Sequence, residues 1–317
     1  MGPGSGILRG SVSSWSEPRP LLSQEWPAFR EALNRVFRPD GAGDLTAELP
    51  LLFQSPDGGP ALRNSRVITG PGGAITAHAG WTQRDAMVLK RRVRVGFIGA
   101  VFTEPGARRQ GLATRVLLDA LDHARAGADL VLASGDRDLY RRQGFEPVSP
   151  LARYRLPAPE APATDAAGAD LATRVVDPAD VPAVAALFER EDVHFERSPA
   201  DWAALLEAQR LVDAAATFSV VTRRGQVVAF VAAQNASSRA DGSLRPRRIL
   251  ELAGDREALL AVAPTLAEEL LVPAYDSATI GLATARGWFR TTRQFPITAE
   301  PLTAVARLVP WYGLNYL

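Results

Sequence analysis

The residues best suited to binding chemistry lie where a predicted strand passes into a predicted helix, at Arg108-Arg109-Gln110-Gly111-Leu112-Ala113. About four backbone N–H groups at the start of a helix lack an intrahelical acceptor and carry a partial positive charge. Gly111 and Ala113 place almost no side chain over these groups, and Arg108 and Arg109 add positive charge beside them. The segment predicts a site for a pyrophosphate, although the same pattern also occurs in ordinary strand–helix turns.

A second pattern, Tyr140-Arg141-Arg142-Gln143-Gly144-Phe145, begins 29 residues after Gly111 and closes the next predicted strand–helix unit. Two such patterns at this separation are more specific than either one alone. Tyr140 carries a hydroxyl that can donate a proton. The alternative interpretation is that Tyr140 is a core aromatic residue whose hydroxyl is already hydrogen-bonded.

The composition excludes several other chemistries. The chain has no Cys, which rules out disulfides, a thiol nucleophile and Cys-ligated metal or iron–sulfur sites. Its three histidines (His78, His123 and His194) are isolated and offer no paired metal ligands, so no metal site is predicted. The single lysine, Lys90, lies in a basic run that we expect to face water.

Length and charge narrow the class of protein further. The 317 residues predict about two domains, and 36 basic against 35 acidic residues leave no basic patch that would imply a nucleic-acid partner. No apolar run approaches the roughly 20 residues that span a bilayer, so no membrane partner is expected. The N-terminus lacks a charged region followed by an apolar one, and we therefore expect a cytoplasmic protein.

The clearest break in the chain is the stretch from Pro157 to Ala172, which is rich in Pro, Ala and Asp and has no apolar periodicity. Such a composition is typical of a linker. We therefore expect one domain over residues 1–156, a linker over 157–172 and a second domain over 173–317.

Apolar periodicity predicts the elements that would position the two patterns. In the first half it predicts helices at Leu22–Phe37, after Gly111, and at Asp136–Gln143, with strands at Arg66–Thr69, Ala74–Arg84, Val93–Thr103 and Leu130–Ala133 and a further strand opening at Phe145. The second half repeats this order, and aligning Gly287-Trp288 with Gly144-Phe145 matches the last strand–helix–strand segments without a gap. The sequence thus predicts an internal repeat of one α/β fold.

At the two patterns the sequence resembles the GNAT (GCN5-related N-acetyltransferase) family. The family's motif R/Q-x-x-G-x-G/A is matched by Arg108, Gly111 and Ala113, and its Y-x-x-x-G-F signature by Tyr140, Gly144 and Phe145. The string TEPGARRQGLATRVLLDAL is similar to the tandem-GNAT branch that includes the Eis-type enzymes, which carry a further domain that this chain has no room for. The resemblance implies two tandem α/β folds with mixed (α+β) sheets.

The resemblance implies a direct transfer of acetyl from acetyl-CoA, a co-substrate, to an amine, with no acyl-enzyme and no metal. Tyr140 matches the tyrosine that protonates the departing thiolate, since a phenol with a pKa near 10 stays protonated at neutral pH. The backbone around the motif would bind the pantetheine arm and the pyrophosphate. The residues so implied are Val101, Phe102, Thr103, Arg108, Arg109, Gln110, Gly111, Leu112, Ala113 and Thr114.

The general base is less clearly marked. Glu104 lies at the end of the strand that borders the expected cleft and is our first candidate, against the alternatives of a solvated loop carboxylate and a water chain. His78 and Trp81 lie on the preceding strand, but their odd spacing points them to opposite faces, so at most one faces the acceptor. We expect His123 and His194 to be surface residues.

The second half has the topology without the chemistry. It lacks the Arg-x-x-Gly-x-Ala pattern, Asp255 and Glu257 would place negative charge at its helix start, and Ala283 aligns with Tyr140. We therefore expect a degenerate domain that binds no CoA.

The sequence leaves several functions open. It predicts an N-acetyltransferase acting on a small-molecule amine, with a non-catalytic acyl-CoA-binding module or a protein N-acetyltransferase as alternatives, and either a monomer or a homodimer. In the Eis-type enzymes the C-terminal carboxylate reaches the active site, and the resemblance implies the same for the apolar tail ending at Leu317.

Overall fold

The computed structural model describes residues 15–41, 43–55, 57–135, 137–148, 151–158, 170–211, 214–238, 243–293, 297–301 and 303–309. Within these ranges the chain forms two large mixed sheets with helices on both faces of each sheet. None of the described helices is both long enough and apolar enough to cross a bilayer.

The first half supplies seven strands and five helices among the described residues. The strands are β1 (Arg19–Pro20), β2 (Ser65–Thr69), β3 (Ile75–Val88), β4 (Arg91–Thr103), β5 (Leu130–Ser134), β6 (Glu146–Pro147) and β7 (Leu151–Arg155). The helices are α1 (Trp26–Phe37), α2 (Leu45–Glu48), α3 (Pro50–Phe53), α4 (Leu112–Arg125) and α5 (Asp138–Arg141).

The second half repeats the pattern with four helices and more, shorter strands in the described ranges. The strands are β8 (Leu171–Val175), β9 (Val193–Phe195), β10 (Arg210–Leu211), β11 (Ala214–Arg223), β12 (Gln226–Gln234), β13 (Ser237–Ser238), β14 (Leu244–Arg245), β15 (Arg248–Gly254), β16 (Glu269–Pro273), β17 (Phe289–Arg293) and β18 (Ile297–Glu300). The helices are α6 (Val181–Phe188), α7 (Pro199–Ala208), α8 (Arg256–Leu266) and α9 (Ser277–Ala285).

The two sheets exchange strands. The first sheet has the order β1-β2-β3-β4-β5-β18-β6, and the second has the order β10-β11-β12-β15-β16-β7-β17. Strand β18, from the end of the chain, thus lies between β5 and β6, while β7, from the first half, lies between β16 and β17. Strand β9 also crosses over and pairs with the end of β3.

We call each sheet with its helices a unit, the first unit being built on β1–β6 and the second on β10–β17. The division into domains 1–156 and 173–317 stays a prediction. The two sheets do not follow it, because β7 from the first half lies in the second sheet and β18 from the second half lies in the first. The expected linker overlaps β8, which begins at Leu171, and its residues 159–169 lie outside the described ranges.

The apolar residues form three clusters. One lies on the outer face of the first sheet under α4, one lies on the outer face of the second sheet under α8 and α9, and the largest contains residues of both units. Helix α4 shows why the sequence folds this way, because its buried residues recur at helical spacing and face the sheet: Leu112, Val116, Leu117, Ala120, Leu121 and Ala124.

Most predicted elements are present with small shifts in their bounds, and the mixed α/β tandem fold is confirmed. The gapless alignment of the two halves is wrong in detail. Helix α9 has nine residues where α5 has four, and β16 begins at Glu269, four residues before the position that the alignment requires. The equivalence of Ala283 with Tyr140 survives, because Trp288 N–H bonds to Ala283 O as Phe145 N–H bonds to Tyr140 O, at 3.2 and 3.3 Å.

Candidate active site

The start of α4 forms an open cradle of backbone amides. Gly111 is the N-cap residue at φ 76°, and no side chain of the described residues caps the helix. Arg109 also has a positive φ, 63°, and this alternation curls successive N–H groups inward as in a backbone anion nest. The first intrahelical bond of the turn joins Arg115 N–H to Gly111 O at 3.1 Å. The amides from Arg109 to Thr114 therefore remain available to an anion.

The side chains of the motif divide into two groups. Arg108, Arg109 and Gln110 are exposed, Arg108 Nε donates to Thr103 O at 3.3 Å, and Gln110 Oε1 accepts from Trp15 Nε1 at 3.0 Å. Leu112 is 1% exposed and anchors α4 to the core, so only its amide can reach a ligand. Ala113 and Thr114 are half-buried on the first turn.

Strands β4 and β5 diverge next to this cradle. Their parallel pairing runs from Val95↔Leu130 to Ile98↔Ala133, whereas β4 remains paired with β3 as far as Thr103. Glu104 N–H bonds to Thr76 O, so the ladder alternation directs the amides of Val101 and Thr103 away from β3 and into the gap. Among the parts of the chain that the structure describes, the end of β4 therefore has no partner on this side and offers a strand edge to an extended ligand arm.

A polar orphan lies at the same edge. Thr103 Oγ1 is buried and has no hydrogen-bond partner among the described residues, although buried polar groups are nearly always paired. An orphan hydroxyl beside a free strand edge and an amide cradle fits the thioester-bearing arm and pyrophosphate of an acyl-CoA. Phe102 is buried on the opposite face and does not line this gap with its side chain.

Tyr140 lies on α5, directly after β5. Its side chain is 2% exposed and belongs to the apolar cluster that also contains Val101, Ala107 and Leu112. Its ring centroid is 5.9 Å from that of Phe145. The structure thus brings the tyrosine, the end of β4 and the motif helix to one face of the first sheet.

Glu104 takes a different position. Its Oε1 accepts a hydrogen bond from Arg35 Nη2 of α1 at 2.6 Å, and its side chain is 20% exposed. A proton accepted by Glu104 would have to compete with this ion pair. The structure therefore places Glu104 at the end of the cleft but already engaged by a cation.

The three histidines have distinct surroundings. His78 is fully buried, and Trp81 lies on the other face, where it stacks on the exposed His123 at 5.4 Å, as the odd spacing predicts. The expectation that His194 is a surface residue is wrong: His194 is 9% exposed because β9 joins the first sheet, and its Nδ1 bonds to Glu191 O.

His78 marks a feature that the sequence analysis missed. Its Nδ1 lies 2.8 Å from Ala100 O, and Ala100 has φ 51° at a bulge in β4. Burial lowers the pKa of His78 to about 4, an effect that the hydrogen bond to Ala100 only partly opposes. The adjacent Gly99-Ala100 pair inside a strand pattern was the available signal for a bulge.

The corresponding cleft of the second unit is occupied by side chains. Arg256 at the start of α8 pairs with Glu191 at 2.5 Å and with Asp276 at 3.3 Å, and the buried Arg197 pairs with Glu251 at 2.7 Å. These ion pairs border a cavity of about 70 Å³ between the diverging strands β15 and β16. Tyr275 lines the same cavity, and burial together with nearby carboxylates raises its pKa.

The start of α8 also differs from that of α4. Asp255 is its N-cap residue, and the Asp255 carboxylate accepts from Ala258 N–H at 3.0 Å. Burial alone would raise the pKa of Asp255, but its hydrogen bonds to Ala258 and Arg223 hold that pKa below the usual value. A charged carboxylate thus fills the place that the first unit leaves open.

Comparisons with known proteins relate this site to a family. Residues 17–148, which contain the cradle, the free strand edge and Tyr140, match the family model for the acetyltransferase (GNAT) domain. The first half of the chain therefore resembles a GNAT acetyltransferase domain. No curated protein sequence matches the chain at a significant level.

Solved structures of GNAT proteins share the fold over nearly the whole chain. A GCN5-related N-acetyltransferase from Anabaena variabilis aligns with TM-score 0.63 and 15% identity, covering 90% of this chain and 72% of that one. Eis1 from Mycobacterium abscessus aligns with TM-score 0.57 and 19% identity, covering 90% and 73%. A putative acetyltransferase from Pyrococcus horikoshii aligns with TM-score 0.52 and 12% identity, covering 100% and 98%. The predicted resemblance to GNAT proteins, including an Eis protein, is confirmed at the level of the fold.

Two remaining points concern a metal site and the C-terminal tail. Among the described residues no group of three or more His, Cys, Asp or Glu side chains is arranged to hold a metal ion. The tail that ends at Leu317 lies outside the described residues, so its predicted approach to the active site stays a prediction.

Proposed function

We propose that the chain is an N-acetyltransferase that transfers acetyl from acetyl-CoA directly to a primary amine of a small molecule. The observation that carries this proposal is the convergence, within the GNAT domain, of a free amide cradle, an unpaired strand edge and a tyrosine on one face of the first sheet. Acetyl-CoA supplies the activated acyl group as a thioester. The residues of the chain then have to bind and orient the two substrates and transfer the protons.

The division of labour follows from the geometry. The amides from Arg109 to Thr114 would hold the pyrophosphate, with Arg108 and Arg109 nearby, and the amides of Val101 and Thr103 would pair with the pantetheine arm. Holding both substrates in one cleft converts a bimolecular reaction into an effectively intramolecular one.

Proton transfer completes the proposal. The amine nitrogen forms a bond to the acyl carbon as the carbon–sulfur bond breaks, and the Tyr140 hydroxyl gives its proton to the departing sulfur. A general acid of this kind contributes on the order of 10²–10⁴ in rate. The proton lost by the amine passes to Glu104, if the acceptor displaces Arg35, or to water.

The binding-module alternative is favoured by one observation, the near-complete burial of the Tyr140 side chain together with the ion pair that engages Glu104. A protein that bound acyl-CoA without turnover would need neither group to be accessible. Activity measurements with defined acceptors separate the two functions.

The test is release of free CoA thiol from acetyl-CoA in the presence of a panel of small amines and lysine-containing peptides. A thiol-reactive dye is well suited, because the chain has no Cys and contributes no background. We expect turnover with at least one small amine and calorimetric binding of one acetyl-CoA per chain. Binding without turnover would support the binding module, turnover only with peptides would support a protein acetyltransferase, and two acetyl-CoA per chain would contradict a degenerate second unit.

We further propose that the protein is a monomer, because the exchanged strands already pair the two units within one chain. Light scattering measures the mass directly, and a homodimer would contradict this part of the proposal.

A further inference from the structure

A buried histidine and a strained alanine meet at the point where the cofactor-facing strand edge begins. Ala100 is a non-glycine residue at φ 51°, in the left-handed region that L side chains rarely adopt. It lies in the bulge of β4, between the pairs Gly80↔Gly99 and His78↔Phe102. The parallel pairing of β4 with β5 ends two residues earlier, at Ile98. The bulge therefore coincides with the divergence of the two strands.

His78 is bonded to this bulge. Its Nδ1 lies 2.8 Å from Ala100 O, and because a carbonyl can only accept, Nδ1 carries the proton and Nε2 is the unprotonated nitrogen. Nε2 is buried with no partner among the described residues, inside a cage of Phe29, Phe53 and Phe102 rings. An unpaired buried nitrogen is unfavourable, so packing alone gives no reason for a histidine here.

The second unit provides an internal comparison at the equivalent position. Its parallel pairing ends at Ile249↔Leu270, so counting from Ile98 and Ile249 makes Phe102 equivalent to Ala253. Phe102 pairs with His78, and Ala253 pairs with Phe230. Phe230 therefore occupies the position of His78.

The surroundings of Phe230 are also aromatic. Its ring lies 5.6 Å from Phe188, 5.9 Å from Trp202 and 6.4 Å from Phe218. A phenylalanine thus satisfies such a cage, and what His78 adds is a hydrogen-bond donor. The residue equivalent to Ala100 is Glu251, which has no positive φ and pairs with Arg197. Of the two described positions, the donor is present in the unit whose motif helix starts without a side-chain cap.

We infer that His78 is a positioning residue, whose hydrogen bond to Ala100 holds the bulge of β4 and thereby aims the free strand edge at the acyl-CoA arm. A peptide unit is planar and trans, so turning Ala100 C=O toward His78 turns Val101 N–H away from it. That direction is the gap between β4 and β5, beside the face where the side chains of Val101, α4 and Tyr140 lie. The inference rests on the proposed function, because it concerns binding of the same acyl-CoA.

The test compares two substitutions with opposite expectations. His78→Phe reproduces the second unit and removes the donor, whereas His78→Asn keeps an N–H donor near the position of Nδ1. We expect His78→Phe to weaken acetyl-CoA binding about 10-fold by calorimetry, and His78→Asn to stay within about 3-fold of the wild type. The double variant His78→Phe/Ala100→Gly should regain part of the loss, because glycine adopts a positive φ without strain.

A second probe separates positioning from general damage. Adenosine 3′-phosphate 5′-diphosphate carries the phosphates of CoA but no pantetheine arm, so it should bind the α4 cradle equally well in the wild type and in His78→Phe. Equal weakening of both probes, or unchanged acetyl-CoA binding by His78→Phe, would overturn the inference alone. A wild type that binds no acetyl-CoA would overturn the proposed function and the inference together.

Discussion

The two units share a topology, yet beside the diverging strands the first unit has uncapped backbone amides and the second has ion-paired side chains. In both, the fourth strand of the unit pairs briefly with a parallel neighbour and then diverges from it, after Ile98 in the first unit and after Ile249 in the second. The gap so created is available to a ligand in the first unit. In the second the pairs Arg256–Glu191 and Arg197–Glu251 border a cavity of only about 70 Å³. The fold thus creates the gap, and a few side chains decide whether a ligand can use it.

The helix that begins beside each gap shows the same contrast. Helix α4 starts at Gly111, which has no side chain to cover its amides, whereas α8 starts at Asp255, whose carboxylate bonds to Ala258 N–H. The partial positive charge at the start of α8 is balanced by the Asp255 carboxylate, whereas the start of α4 leaves that charge available to a bound anion.

The exchanged strands link the two units. Separating the units should therefore have the largest effect on folding of all the changes considered. Residues 1–156 alone would lack β18 between β5 and β6 and would leave β7 without its partners β16 and β17. We expect this fragment to show no cooperative thermal transition by circular dichroism. Removing the strand would also expose a buried residue, Thr298, and break the ion pair of Arg125 with Glu300.

The control is the full chain cut once at a protease site inserted between residues 159 and 169. The two halves should stay together and melt cooperatively, because the exchange holds them on both sides. A fragment 1–156 that folds and binds acetyl-CoA would show instead that the first unit is an independent domain.

The open cradle at α4 is tested next. Gly111→Glu places a negative charge and a strained φ at the amides, and we expect acetyl-CoA affinity to fall by about 100-fold or more by calorimetry. Gly127→Glu is the matched control, since Gly127 has nearly the same φ, 78° against 76°, and equally open space at the other end of α4. Equal losses in the two variants would mean that strain rather than charge at the cradle is responsible.

Tyr140 is a chemical difference between the units, because the equivalent residue of the second unit is Ala283, which has no hydroxyl. Tyr140→Phe should lower kcat by roughly 10²-fold and leave the KM for acetyl-CoA nearly unchanged, as expected for a proton donor in the transition state. Tyr154→Phe is the control, because Tyr154 is also buried and donates to Ile280 O at 3.3 Å in the second unit. That change should cost about 1 kcal/mol of stability without affecting kcat. Full activity of Tyr140→Phe would remove Tyr140 from the mechanism.

Much of this contrast could be predicted from the sequence, since the periodicity of α4, the Gly111 turn and the missing tyrosine at Ala283 are local signals. The strand exchange could not, because a strand forms the same ladder bonds in either of two similar sheets, and nothing in Leu151–Arg155 specifies which one. The ion pair of Glu104 with Arg35 spans 69 residues and depends on tertiary packing. The left-handed Ala100 was hidden because such conformations usually occur at glycine.

The last difference between the units is that the first has His78 where the second has Phe230. Because histidine titrates, this difference predicts that the free energy of unfolding depends on pH. The unfolded chain protonates this histidine below about pH 6.5, whereas burial among Phe29, Phe53 and Phe102 lowers the folded pKa to about 4. The unfolded state therefore binds more protons between these values, so the wild type loses stability as the pH falls from 6.5 to 4. The loss from this group is at most roughly 3 kcal/mol and does not grow below pH 4.

His78→Phe lacks the titrating group, so its urea midpoint should fall less steeply than that of the wild type across this window, while the carboxylates common to both proteins contribute equally. Urea unfolding at several pH values between 7.5 and 4 measures the difference. Parallel curves for the two proteins would mean that the imidazole is already accessible to protons in the folded state. The first unit would then lack the sealed aromatic cage that the second unit has around Phe230, and the two positions would differ in packing as well as in hydrogen bonding.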